Sequence, residues 1–260
     1  MSTIKVLFLL YDFTCVIVLQ IKVMIKEEFE KFKDHESVNL WNIDIFNKEN
    51  WLNGTWKTFS RTFFYSDLID SEKNIRGLRL IHRSEGEKRS EYEEKCQKVK
   101  DNVFNLIKDG FPLDVFELDN WYKQIITSNH GLSDNTPPFD YMSIGHRQKM
   151  VNILVKYFLT YFHTTKETDI EFCKRFNRNI SHIHIPIDKV VLESIYKNDI
   201  YRNKFQNRLT KKGEQYYLDS KPWSRITDYE SYSNFQNTIR NLSKSEGMSP
   251  IEFEMKKLWS

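Results

Sequence analysis

The stretch from Ile144 to Leu192 constrains the fold more than any other part of the chain. It opens with IGHRQKMVNILVKYFLTYFH and closes with SHIHIPIDKVVL. The opening piece has the periodicity of a long helix. Val151, Ile153, Leu154, Val155, Phe158, Leu159 and Phe162 cover most of its circumference. One narrow polar stripe remains, formed by Lys149, Asn152, Lys156, Thr160 and His163 at helical spacing. A helix that is apolar on nearly all sides is buried. A lysine on such a helix costs several kcal/mol, roughly, unless it meets an anion or a wet cleft. Asp188, two residues after Pro186, sits where the next helix should start, and a carboxylate is favoured there. Lys149 and Asp188 can therefore be an active-site pair, or one structural salt bridge.

With 260 residues, 40% hydrophobic and 15% aromatic, the chain can bury a sizeable core. Eight Gly and six Pro are too few for a turn-rich sandwich. The expected fold class is mainly α, a multi-helix globular fold with a small irregular or β element near 40–66 or 205–218. Asp114, Thr168, Asp228 and Ser249 are candidate helix caps; Ser249-Pro250-Ile251-Glu252 forms a capping box with proline at the first helical position. Lys211-Lys212-Gly213 is a candidate hairpin turn between 205–210 and 215–218. Residues 128–139 (SNHGLSDNTPPF) form the best loop and divide an N-terminal lobe, 24–135, from a basic C-terminal lobe, 136–260. Residues 38–66 should be irregular or short-stranded, and 85–108 should be a charge-dense helix stopping at Gly110.

Residues 1–23 form a separate apolar segment. Ile4–Val23 approaches membrane-span length but is interrupted by Lys5 and Asp12. It is an anchor, a buried element, or an extension upstream of Met24; without anchoring, no membrane partner is expected. Cys15, Cys96 and Cys173 are odd in number and contain no CxxC pair, which excludes finger-type zinc sites and favours a reduced, cytoplasmic setting.

Charge is unevenly spread. Tyr141–Arg225 holds 16 Lys+Arg against 8 Asp+Glu, while the rest holds 23 against 28. A basic stretch is the electrostatic footprint of a phosphate-backbone partner, and DNA is the expected one. No Gly-rich phosphate loop is present.

Three constellations can carry chemistry. A lysine in apolar surroundings can attack a sugar aldehyde carbon and form a Schiff base. A nearby carboxylate can take its proton, activate water or stabilise a cationic sugar. The order QKMVNILVKYF…HIPIDKVVL resembles helix-hairpin-helix DNA glycosylases, and most closely their archaeal 8-oxoguanine branch. Those enzymes carry a catalytic lysine at a helix start and, downstream, a PVD-type motif whose aspartate opens the next helix. The likeness spans about 50 residues by this motif logic, with the aspartate 39 positions after the lysine and Ile144-Gly145-His146 in place of the hairpin. It implies Lys149 as nucleophile, Asp188 as the carboxylate, and no metal or cofactor. The target would be a damaged or modified base, flipped from the duplex into a pocket. His146, Asn152, His184 and Trp223 are candidate pocket residues; Trp223, between Lys221 and Arg225, can stack on an extruded base or pin a loop. The second constellation is the histidine set His182, His184, His146 and His163. His182-x-His184 on an extended segment would place both rings on one side. With Asp188 or His163 they could ligate a transition metal and make a metal-dependent nuclease. The third is the tryptophan set: Trp41, Trp51, Trp56, Trp121, Trp223 and Trp259 are read chiefly as core anchors. A non-catalytic helical protein that binds nucleic acid or a protein partner is the alternative to an enzyme.

Overall fold

The computed structural model describes residues 27–32, 34, 88, 90, 91, 94, 107, 109–127, 143–164, 171–205 and 208–259. The apolar stretch 4–23, segment 38–66, the 128–139 loop, Thr168, Trp41, Trp51 and Trp56 lie outside the described residues, as does most of 85–108.

The fold is mainly helical with one small antiparallel sheet. Helix α1 (Val115–Thr127) begins at Asp114, whose Oδ1 accepts the Phe116 N–H at 2.9 Å. Its buried residues Leu118, Trp121, Tyr122 and Ile126 recur at steps of three and four, placing one face on the core. Helix α2 (Ile144–Thr164) is the long helix expected from the sequence. Its Ser143 cap accepts the His146 N–H at 3.2 Å. Burial extends round the helix: Val151, Leu154, Val155 and Phe158 are fully covered, and so are the polar Gln148, Asn152 and Thr160. Helix α3 (Glu171–Arg178) follows. Helix α4 (Lys189–Lys197) starts at Asp188, which accepts the Val191 N–H, and α5 (Asp199–Lys204) starts at Asn198.

Strands β1 (Leu209–Lys212), β2 (Gln215–Leu218) and β3 (Lys221–Pro222) form a meander. Leu209 pairs with Leu218 and Lys212 with Gln215. Gly213 supplies the positive φ of the first turn, and Asp219 and Ser220 both take positive φ in the second. That geometry suits two-residue hairpin loops. Arg208 holds Asp219 there through Nε–Oδ1 at 2.7 Å. A single turn of 3-10 helix (Trp223–Arg225) leads to α6 (Tyr229–Ser245), capped by Asp228. Ser249 caps α7 (Pro250–Phe253), which continues as a π-helical turn over Glu254–Leu258. The Trp259 N–H there bonds the Glu254 carbonyl at 3.1 Å, five residues back. Buried apolar residues from Phe29 to Leu258 form one cluster, so the core runs through both intervals flanking the 128–139 loop.

Two local devices position the site. The first is Gly145. A methyl group there would stand 1.8 Å from the Trp223 carbonyl oxygen, so only glycine admits this approach. The Gly145 N–H bonds the Ile226 carbonyl at 3.0 Å, and Ser143 Oγ donates to the Ser224 carbonyl at 2.6 Å. The start of α2 is thereby fixed to the 223–226 turn.

The second device satisfies a buried stretch that belongs to no helix or sheet. Residues 183–187 are fully buried, and their peptide groups need partners. Side-chain amides supply them. Gln148 of α2 receives the Ile187 N–H (2.9 Å) and donates to the Ile187 carbonyl (2.7 Å). Gln236 of α6 receives the Ile185 N–H (3.0 Å) and donates to the Ile185 carbonyl (2.8 Å). Asn152 adds a bond to the same carbonyl at 3.0 Å. Two glutamines thus stand in for a neighbouring strand.

Candidate functional site

Fixing α2 on one side and the 183–187 stretch on the other brings Lys149 to Asp188. The Nζ–Oδ2 distance is 3.2 Å, with 20% and 18% of the two side chains exposed. The carboxylate does two jobs: Oδ1 caps α4 through the Val191 N–H at 3.0 Å, and Oδ2 faces the lysine. The ammonium also lies over the Trp223 ring, 4.8 Å from its centroid, held there by the turn that Gly145 admits. His146 meets Trp223 edge-on at 5.6 Å. Burial, and then the Lys149 charge, lower the His146 pKa, which keeps that ring neutral near pH 7.

Lys149 and Asp188 line one wall of a cleft of about 220 Å³. Pro186 and Ile153 continue that wall; Phe32, Tyr157 and Trp259 supply aromatic surface. A second ion pair faces the same space. Lys156 Nζ lies 2.7 Å and 3.0 Å from the two Glu254 oxygens, with 2% and 0% of those side chains exposed. The Phe32 and Trp259 ring centroids sit 4.1 and 4.2 Å from the same ammonium. Lys149 and Lys156 are two helical turns apart, so both look into the cleft. The site therefore holds one partly exposed lysine–carboxylate pair at one end and a second, enclosed lysine–carboxylate pair beside aromatic rings at the other.

The remaining sequence candidates divide. Trp223 and His146 stand beside Lys149, outside the cleft lining. Asn152 and His184 do not line the cleft; both belong to the polar interior. Asn152 donates to Ile185 and to the Tyr232 hydroxyl at 3.3 Å. His184 is stacked on Tyr122 with centroids 3.8 Å apart. His184 Nδ1 lies 2.6 Å from the Tyr232 hydroxyl, and its Nε2 faces both Arg240 Nη2 at 2.6 Å and Asp119 Oδ1 at 3.2 Å. Burial holds the His184 pKa down to about 4. His182 lies in a turn whereas His184 lies in the buried stretch that follows, so the pair does not share the extended segment expected from the sequence. His182 is exposed and bonds Ser181 at 2.8 Å, and among the described residues no group of three or more His, Cys, Asp and Glu converges as a metal-binding set. Nor, among the described residues, is any helix long and apolar enough to cross a membrane.

Glu254, Phe32 and the two clamping glutamines were missed by sequence reasoning. Lys156 was visible as a buried cation needing an anion, but no spacing rule points 98 residues ahead to Glu254. A larger groove of about 560 Å³ runs along α6 past Arg208, Asp219 and Asn237. Its lining mixes both charges and contains neither lysine–carboxylate pair, so its size does not outweigh the chemistry of the smaller cleft. No protein-family model matches the chain, and neither does any curated protein or solved structure.

Proposed function

We propose that this protein is a DNA glycosylase that removes a damaged or modified base with Lys149 as nucleophile and Asp188 as its carboxylate partner. The observation that carries the proposal is the 3.2 Å lysine–aspartate pair on the wall of a base-sized, aromatic-lined cleft. A base cannot react inside the stack, so it would be extruded into the cleft. There Asp188 takes a proton from the Lys149 ammonium, and the amine attacks the sugar C1′. The N-glycosidic bond breaks with its electron pair leaving on the base, which picks up a proton. The nitrogen then loses its second proton, its lone pair forms the C=N bond as the C1′–O4′ bond breaks, and the ring oxygen takes up that proton, giving a protonated Schiff base and an open sugar.

The rings of Phe32, Tyr157 and Trp259 that line the cleft would supply apolar surface for a base. The charge excess across 141–225 supplies attraction to the phosphate backbone.

Borohydride added during reaction with duplexes carrying single oxidised, alkylated or deaminated bases should trap a covalent adduct. Lys149→Ala should abolish it. Asp188→Asn should slow base release by orders of magnitude while DNA affinity is kept, since its work is done in the transition state. If both variants merely melt at lower temperature and no duplex is ever trapped by the parent, the pair is structural and the protein a non-catalytic binder.

A further inference from the structure

The Lys149–Asp188 pair joins two segments 39 positions apart, and one side chain spans the same gap beside it. Gln148 is fully buried and makes four hydrogen bonds. Its Nε2 donates to the carbonyls of Gly145 (2.9 Å) and Ile187 (2.7 Å). Its Oε1 accepts the Ile187 N–H (2.9 Å) and Asn152 Nδ2 (3.2 Å). Every donor and acceptor of the amide is engaged, so the group has one orientation. Gln148 is the chain neighbour of the lysine, and Ile187 is the chain neighbour of the aspartate. A slip of one residue across this junction would separate the two charges by the length of a peptide unit.

We infer that Gln148 is a positioning residue: by gripping both polar groups of Ile187 it sets the register in which Lys149 meets Asp188. Its effect on base removal rests on the glycosylase proposal; the register itself does not. Gln236 makes the same two-point grip on Ile185, two residues further from the pair, and is an internal control. A merely structural glutamine should behave alike in both places.

The test is a double-substitution cycle. In the parent, Lys149→Met and Asp188→Asn should shift the thermal midpoint non-additively, by about 2 °C or more for a contacting pair in a chain of this size. With Gln148→Leu in the background the two shifts should become additive. Gln148→Glu keeps the shape and the acceptor but loses both donors; it should behave in the same way and stands in if the leucine variant does not fold. Gln236→Leu should lower the midpoint yet leave the coupling intact. In single-turnover assays well below each midpoint, the Gln148 variants should excise base about 10- to 100-fold more slowly, with DNA affinity within a few-fold of the parent, because small misplacement of reacting groups costs rate rather than binding. Undiminished Lys149–Asp188 coupling in both Gln148 variants, or an equal loss in Gln236→Leu, overturns the inference. A parent protein that neither releases base nor traps an adduct overturns the glycosylase proposal instead, and the coupling cycle still decides the role of Gln148.

Discussion

Replacing Glu254 by glutamine removes one negative charge and almost no volume from the most enclosed ion pair described. Lys156 would keep its position, with 2% of its side chain exposed, and lose the carboxylate charge that offsets its own. Breaking a buried pair from one side costs about 3–5 kcal/mol. The Phe32 and Trp259 faces lie over the ammonium in parent and variant alike, so their attraction cancels from the difference. The expected loss of about 3–5 kcal/mol, at about 2–4 °C per kcal/mol, lowers the thermal midpoint by about 6–20 °C. Circular dichroism melts of the parent, Glu254→Gln, Lys156→Met and the double variant give the measurement. The double variant should recover most of the loss, since a buried pair exchanged for neutral groups of like volume is often neutral in stability. A Glu254→Gln protein that melts with the parent would refute the reasoning, because the ammonium would then have been solvated all along.

The remaining predictions concern packing, pH and salt. Gly145→Ala places a methyl group 1.8 Å from the Trp223 carbonyl oxygen, so the turn must move. The expected cost is at least about 1–3 kcal/mol, read as a lower urea midpoint and weaker Lys149 trapping. His163 and His184 are both held near pKa 4 by burial, whereas an unfolded histidine titrates near about 6.5. Between those values the unfolded chain binds more protons, so stability is full above about pH 6.5 and falls as pH drops towards about 4, by about 3 kcal/mol per histidine. Urea titrations across that window should show this slope, and His184→Asn should flatten it. DNA binding that neutralises about four phosphates should weaken with a log–log salt slope near about −3.6; a flat response would remove the phosphate backbone as the partner.

Local chemistry made parts of this structure legible. Asp114, Asp188, Asp228 and Ser249 all cap helices, because a short oxygen-bearing side chain next to a periodic apolar run has few other uses. The hairpin around Gly213 followed from a residue free to take positive φ. Lys149 and Asp188 could be paired because each announced a need, a cation on a buried helix and an anion at a helix start. Pairings that rest on distance in the chain were hidden. Periodicity says that Lys156 faces inward but not what waits there. Gln148 and Gln236 carry no sequence signature, since a glutamine that grips a peptide reads like any polar residue on a helix. His184 was placed by its neighbour Pro186 and the aspartate beyond, yet its ring packs into the interior against Tyr122 and Tyr232, which no local pattern announces.

The π turn at Glu254–Leu258 has a consequence for inheritance. In an α-helix, residues five apart point about 140° away from each other, at about 100° per residue. The wider turn closes that gap, which is why Glu254 and Trp259 both reach Lys156. Relaxing this turn to ordinary pitch at unchanged length would swing the indole away and strip the lysine of one of its two aromatic covers. Deleting one codon between the two residues would not, because at four apart they again share a face of an ordinary helix. In any lineage the pitch and the count of these few positions are therefore tied: both change together or neither does.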